Sequence, residues 1–116
     1  PVHIEHGYAV FQGAPKFGHY NPLGTVHGGW FATLLDSAVA CAVHATLPVG
    51  KAYTTVELKT NIVRALTERV PLVRAEGRVV HAGNQLATAE GRLFGPDGRL
   101  YAHASTTCLV FDARTR

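Results

Sequence analysis

The stretch NPLGTVHGGWFATLLDSAVACAV, from Asn21 to Val43, decides the fold of this chain. From Gly28 to about Thr46 the apolar residues recur at helical spacing, and a proline and a glycine follow as helix-ending residues. The pattern predicts one long helix that is apolar over most of its circumference. Such a helix belongs at the centre of a domain, because other elements must cover its apolar faces.

One charged residue interrupts this apolar run. Asp36 is the only formally charged side chain between Phe17 and Gly50, and it lies in the middle of the predicted helix. Burying an isolated carboxylate is very costly, so this group must be paired, protonated or used. It falls on a narrow stripe of small or polar residues, which are Thr33, Asp36, Ser37, Ala40 and His44.

The rest of the chain alternates apolar and polar residues, which is the pattern of half-buried strands. A β-type stretch, residues 7–11, precedes the helix, and four more follow it: Tyr53–Arg64, Leu72–Ala82, Gln85–Phe94 and Leu100–Phe111. In the first of these four, Val56, Leu58 and Ile62 are predicted to share one face and Thr55 the other. Short connections with turn residues predict an antiparallel meander.

Many residues on the predicted inner faces are Ala, Gly or Thr, so the sheet can curl closely around one thick helix. The predicted fold class is therefore α+β, an antiparallel sheet of about five strands wrapped around one long central helix. Size and composition indicate a single soluble domain, residues 1–116, large enough to hold a real core.

Charge and hydropathy exclude two kinds of partner. The net charge is +3, but the basic residues are scattered and alternate with Glu, which is typical of a solvated sheet face. A nucleic-acid binder needs a clustered basic stripe, so we expect no nucleic acid. Residues 28–47 are long enough to span a bilayer, yet Asp36 at their midpoint would cost about 2.5–3.5 kcal/mol there. We therefore expect no membrane span.

Cys41 and Cys108 both lie in apolar contexts, so two buried free thiols are favoured over a disulfide. Free thiols are typical of a reducing compartment, and we predict a cytoplasmic protein. The histidines lack a carboxylate-supported motif such as HExxH, and we predict no metal site. Ser37 and Ser105 lack a nucleophile-elbow context, so a serine triad is not supported.

The string from Asn21 to Gly29, followed by Asp36, resembles the N-x-x-G-x-x-H-G-G…D signature of the PaaI-type acyl-CoA thioesterases. The resemblance implies the hotdog fold along essentially the whole chain. It implies hydrolysis of a small-molecule acyl-CoA to free acid and coenzyme A, with no separate cofactor because coenzyme A is part of the substrate. It also implies a homodimer at minimum and commonly a homotetramer, a dimer of dimers.

The resemblance also assigns roles to residues. Asn21 would position the thioester or the attacking water, the backbone N–H of Gly28 would polarise the thioester carbonyl, and Asp36 would be the catalytic carboxylate. Thr55 matches a Ser/Thr position that assists the water in some relatives. Three further residues, His27, Gly29 and Arg64, are the candidates for substrate binding.

Elementary chemistry supports the pair of Gly28 and Asp36. First-turn N–H groups of a helix have no intrahelical partner, and glycine lets a carbonyl approach the bare amide. Asp36 lies eight residues beyond Gly28, a rise of about 12 Å along a helix. One carbonyl cannot meet both groups of one helix, so two antiparallel helices across a two-fold axis must contribute one group each. This predicts an obligate homodimer with two composite sites.

Each assignment has a structural alternative. Gly28 and Gly29 would also allow a tight helix entry, and Asp36 could be satisfied by hydroxyls or backbone amides. Asn21 could be a turn former before Pro22, and Thr55 an ordinary strand residue. His27 has its cationic form disfavoured at a helix N-terminus, and in the resembling family it is mostly structural.

Three functions are weighed against these residues. Hydrolysis of an aryl- or medium-chain acyl-CoA, with Asp36 as nucleophile or general base, is favoured. A non-catalytic acyl-CoA binding or sensing protein has no need of a carboxylate there. A hydratase or dehydratase needs a His paired with an acidic residue in another arrangement. The acyl group stays open: Trp30, Phe31 and Tyr53 could line an aryl pocket, or belong to the core or an interface.

Overall fold

The structure, a computed structural model, describes residues 1–113. One helix, α1 (Gly28–His44), lies against one antiparallel sheet of six strands. The strands are β1 (His3–Glu5), β2 (Tyr8–Gly13), β3 (Lys51–Ile62), β4 (Val73–Ala82), β5 (Leu86–Phe94) and β6 (Leu100–Asp112). The predicted class, a sheet around one long helix, is confirmed. The sixth strand is β1, a three-residue strand that pairs with β2.

The order of the strands is β1-β2-β4-β5-β6-β3. The predicted meander is correct for β4, β5 and β6, but wrong for β3, which pairs with β6 instead of β4. Residues 63–72 connect β3 to β4 without placing them side by side. As a result β3 is an edge strand of twelve residues, with one side unpaired within the described chain.

Small residues in the sheet let α1 pack very closely, as predicted. At Gly77 of β4 an added Cβ would overlap the carbonyl group of Ala38 and lie 2.7 Å from the Val39 nitrogen. At Gly91 of β5 it would lie 2.8 Å from a methyl group of Val39. These two glycines are therefore the positions where the backbone of the sheet comes nearest to the helix.

The core divides into two clusters along α1. The first is built on Phe31, Leu35 and Ala38, and the second on Val39 and Val43. Residues of β4, β5 and β6 complete both, and Leu58 of β3 packs against both. Burial of each large apolar side chain contributes about 1.5–3 kcal/mol, so the two clusters fix the helix on the sheet. Phe31 is thus a core residue and does not line an open pocket.

A β-bulge in β3 changes the predicted faces of that strand. Thr55 pairs with Cys108 and Glu57 with Thr107, which leaves Val56 as an extra residue. Thr55 therefore shares the inner face with Leu58, while Val56 is 55% exposed. The predicted alternation, with Val56 on the face of Leu58 and Thr55 on the other, was wrong because it assumed a regular strand.

In the part of the chain that the structure describes, no helix has the length and hydropathy needed to cross a membrane.

Replacing Gly77 by Ala tests the close contact of helix and sheet. The new Cβ meets helix backbone, which cannot rotate away, so we expect Gly77→Ala to lower the free energy of unfolding by about 1–3 kcal/mol or more. Gly18→Ala is the control, since a Cβ there meets nothing within 4 Å. Urea unfolding followed by circular dichroism measures both, and equal stability of the two variants would contradict the packing described.

Candidate active site

The first turn of α1 leaves one backbone donor free. His27 is the N-cap residue, and its Nδ1 accepts a hydrogen bond of 2.8 Å from the Gly29 N–H. The Trp30 N–H donates to the His27 carbonyl at 3.0 Å. The Gly28 N–H has no acceptor among residues 1–113. It lies at the positive end of the helix dipole, so it can donate to an incoming oxygen.

Gly28 is half-buried beside the end of β3. A Cβ on Gly28 would lie 3.2 Å from Cδ1 of Ile62, tighter than an ordinary van der Waals contact. An alanine here would require the terminal methyl group of Ile62 to move by a few tenths of an ångström, so glycine gives the freest access to the amide. Ile62 itself is 47% exposed, so it borders the surface at which the Gly28 amide lies. The alternation of β3 predicted that Ile62 shares a face with Leu58, but it gave no sign that Ile62 lies next to Gly28.

A tight loop holds His27 in place. The His27 N–H donates to the His19 carbonyl at 2.7 Å, and the Val26 N–H donates to the Leu66 carbonyl at 2.8 Å. Within this loop the Asn21 Oδ1 accepts hydrogen bonds from the backbone N–H groups of Leu23 and Thr25, at 2.9 and 3.3 Å.

The amide nitrogen of Asn21 donates to the Thr25 hydroxyl at 3.2 Å. Both ends of this side chain are therefore engaged in the loop, as a turn former requires. A role of Asn21 toward a thioester remains a prediction.

Asp36 lies about two turns further along α1 and is half-buried. Its Oδ1 is fully buried and has no hydrogen-bond partner among the described residues. The neighbouring hydroxyls do not reach it, since Thr33 and Ser37 donate to the carbonyls of Gly29 and Thr33. An unsatisfied buried acceptor costs about 1–3 kcal/mol, and more when charged. Within the described residues, therefore, no hydroxyl or backbone amide satisfies Asp36 Oδ1, as a purely structural role of this carboxylate would require.

Two contacts fix how β3 lies along α1. Ile62, at the end of β3, lies next to Gly28 at the start of the helix, with its Cδ1 3.2 Å from where a Gly28 Cβ would be. Tyr53, near the start of β3, has its ring 5.7 Å from that of His44 at the end of the helix. The strand therefore runs antiparallel to the helix over its whole length. Asp36, midway along the helix, lies beside the middle of the strand, where the bulge occurs.

Electrostatics agree with this placement. Burial raises the pKa of the Tyr53 hydroxyl, and the two cysteines and Asp36 add to the rise. Thr55 faces the same side as Tyr53, and its Oγ1 lies 3.8 Å from the Cys108 sulfur. Burial also raises the pKa of the Cys41 thiol, the N-terminal amino group lowers it, and Asp36 raises it further. Both cysteines are free thiols.

Arg64 lies at the same end of α1 as Gly28, two residues beyond Ile62. Its side chain is exposed, with the guanidinium 5.8 Å from the centre of the Tyr101 ring. The backbone N–H of Arg64 donates to the Tyr101 carbonyl at 3.2 Å. The structure thus brings Gly28, Gly29, His27 and Arg64 to one end of the helix. Asp36 lies about 12 Å further along the axis, and Thr55 lies on β3, the strand that runs alongside the helix.

Comparisons with known proteins bear on this site. A family model described as the thioesterase superfamily matches residues 23–102, which include both the glycines and Asp36. No curated protein sequence matches the chain.

Three solved structures share the fold. AziG from S. sahachiroi has 19% sequence identity and a TM-score of 0.92, with 96% of this chain and 89% of that chain covered. A protein from Bacillus halodurans, solved with CoA, has 31% identity and a TM-score of 0.81, with 88% and 66% covered. A protein from Ralstonia eutropha, described as a candidate thioesterase related to phenylacetic acid degradation, has 30% identity and a TM-score of 0.80, with 89% and 76% covered.

Proposed function

The chain belongs to the thioesterase superfamily, whose members hydrolyse thioesters, and on that premise we propose that it hydrolyses an acyl-CoA with an aryl or medium-chain acyl group. The observation that carries the proposal is a pair of unpartnered groups on one helix. Among residues 1–113 the Gly28 N–H lacks an acceptor and the buried Asp36 Oδ1 lacks a donor. A thioester carbonyl and a water molecule are the partners that these two groups would take.

In the proposed reaction Gly28 stabilises the charge that develops on the thioester oxygen. Water attack converts the carbonyl into a tetrahedral oxyanion, and a fixed N–H at a helix N-terminus is an oxyanion donor that needs no reorganisation. The His27 side chain contributes indirectly, because its Nδ1 accepts a hydrogen bond from the Gly29 N–H and so stabilises the first turn of α1. Collapse of the intermediate releases the free acid and the coenzyme A thiolate, which is then protonated.

Asp36 supplies the second requirement, an activated nucleophile. As a general base it would take a proton from water as the water attacks the carbonyl. As a nucleophile it would form a mixed anhydride, which water then hydrolyses. The two routes differ in a single turnover in ¹⁸O water: the first places the label in the product acid, whereas water attack on the Asp36 carbonyl leaves it in the protein. Thr55, on the face of β3 toward the helix, is proposed to lie close enough to Asp36 to orient the water.

The proposed site needs two chains. Gly28 and Asp36 are about 12 Å apart on one straight helix, further than a carboxylate can reach. The unpaired side of β3 supports a two-fold interface, because a long edge strand is a template for pairing. Val56, Ile62 and Val63, each about half exposed, lie along it.

The same spacing indicates where the two-fold axis would pass. To bring the Gly28 of one chain to the Asp36 of the other, the axis would cross about 6 Å along α1 from Gly28, near Thr60 of β3. The family resemblance further suggests that two such dimers form a tetramer.

The proposed substrate is supported by the relatives and by the charge at the end of α1. The protein from Bacillus halodurans was solved with CoA. In this chain Arg64, with His27 and Gly29, is proposed to contact the coenzyme A portion near the Gly28 end of the site. Free cysteines and acyl-CoA chemistry both fit the cytoplasm, which we propose as the location.

A panel of aryl- and aliphatic acyl-CoAs tests the function, with free thiol release as the readout. We expect Asp36→Asn to lower kcat by about 10²–10⁴-fold, since the variant keeps the shape but loses the base or nucleophile. Ser37→Ala is the control, because the Ser37 hydroxyl bonds only to the helix backbone. Unchanged turnover in Asp36→Asn would refute the mechanism, and wild-type protein that binds but never cleaves acyl-CoA would indicate a sensor.

Gly28→Pro removes the proposed oxyanion donor with little disturbance of the helix. Proline is favoured at the first helical position, and His27 already has φ −61° and ψ 139°, as a residue before proline requires. We expect kcat to fall about 10²–10³-fold. Gly28→Ala is the matched control, since it brings a Cβ toward Ile62 but keeps the N–H. A kcat in Gly28→Pro that stays at the wild-type level would show that this amide is not the donor.

A further inference from the structure

Thr106 is the one polar side chain that is buried among residues 1–113, with 3% of its surface exposed. It lies on the inner face of β6, at the level where the two core clusters meet. Ala102 and Ala104 belong to the first cluster, and Cys108 and Val110 belong to the second. A hydroxyl at this level interrupts an otherwise apolar row, and a buried hydroxyl must have a partner.

The partner of Thr106 is the bulge in β3. Its hydroxyl donates a hydrogen bond of 2.7 Å to the carbonyl of Glu57, the residue directly after the extra Val56. A bulge disrupts the ladder locally and leaves backbone groups without their usual strand partners. The Thr106 hydroxyl satisfies one of these groups from inside the sheet, so it holds the bulge in one position.

The bulge lies in the part of β3 that runs past the middle of α1, the helix segment that holds Asp36. The contacts of Ile62 with Gly28 and of Tyr53 with His44 fix the two ends of β3 along α1, and the middle of the strand faces the middle of the helix. Thr55, immediately before the bulge, faces inward with its ladder partner Cys108. Because the bulge directly follows Thr55, its shape affects where the Thr55 hydroxyl lies relative to α1.

We propose that Thr106 is a positioning residue for thioester hydrolysis: its buried hydroxyl fixes the β3 bulge and, through it, the position of Thr55 beside Asp36. This inference rests on the proposed function and extends it to a residue that touches no substrate. Displacement of a catalytic group by about 1 Å can cost 100-fold in rate, so a hydrogen bond remote from the thioester can control turnover.

The test compares three variants by steady-state kinetics. Thr106→Val keeps the shape and removes the donor, and we expect kcat to fall about 10- to 100-fold with KM changed less than about twofold. Thr106→Ser keeps the hydroxyl and should restore most of kcat. Thr107→Val is the matched control, because the Thr107 hydroxyl bonds to the Glu57 side chain at 3.4 Å and leaves the bulge carbonyl untouched.

A double-mutant cycle separates positioning from a general loss of stability. In a Thr55→Ala background we expect Thr106→Val to have little further effect on kcat, since it acts through Thr55. A kcat loss of equal size in both backgrounds, or wild-type kcat in Thr106→Val, would overturn the inference. If Thr106→Val does not fold, kcat and KM are measured in both backgrounds on Thr106→Cys, whose thiol is a weaker donor than the hydroxyl and similar to it in size.

The outcome is distinguishable from a failure of the proposed function. Wild-type activity in Asp36→Asn would remove the premise and the inference together. Loss of activity in Asp36→Asn with wild-type kcat in Thr106→Val would remove only the role of Thr106.

Discussion

An α-helix is rigid over two turns, and the two groups that α1 offers for chemistry therefore stay about 12 Å apart. The Gly28 N–H is at one end of this span and Oδ1 of Asp36 at the other, and neither of these two groups finds a partner within residues 1–113. A flexible loop could have brought such groups together, but a helix cannot. The proposed second chain and the composite site follow from this fixed distance. The unpaired side of β3 within the described chain offers a place where the second chain could pair.

The sheet serves the helix in two ways. Gly77 and Gly91 let the backbone approach α1, so the helix is held firmly enough for its N-terminus and its middle to be fixed points. At the level of Asp36 the apolar packing is interrupted by the Thr106 hydroxyl and the bulge of β3. Close packing thus fixes the helix, and one buried hydrogen bond shapes the strand beside the proposed catalytic carboxylate.

The sequence predicted the features that local pattern controls. The helix begins at Gly28 as its periodicity and glycines indicated, and the small residues of β4, β5 and β6 face it as their alternation indicated. The position of β3 was not predictable in this way, because alternation says which face of a strand is buried but not which strand is its neighbour. The bulge at Val56 was not predicted, because the extra residue is visible only in the pairing of β3 with β6.

Complementation between two inactive variants tests the central claim, that each site joins Gly28 of one chain to Asp36 of another. Gly28→Pro and Asp36→Asn proteins are mixed, exchanged under mild denaturation and refolded, and acyl-CoA hydrolysis is measured. Mixed dimers hold one intact site each, so we predict recovery to about a quarter of wild-type activity. Activity that stays at the level of the separate variants, in a mixture shown to have exchanged chains, would contradict the composite site.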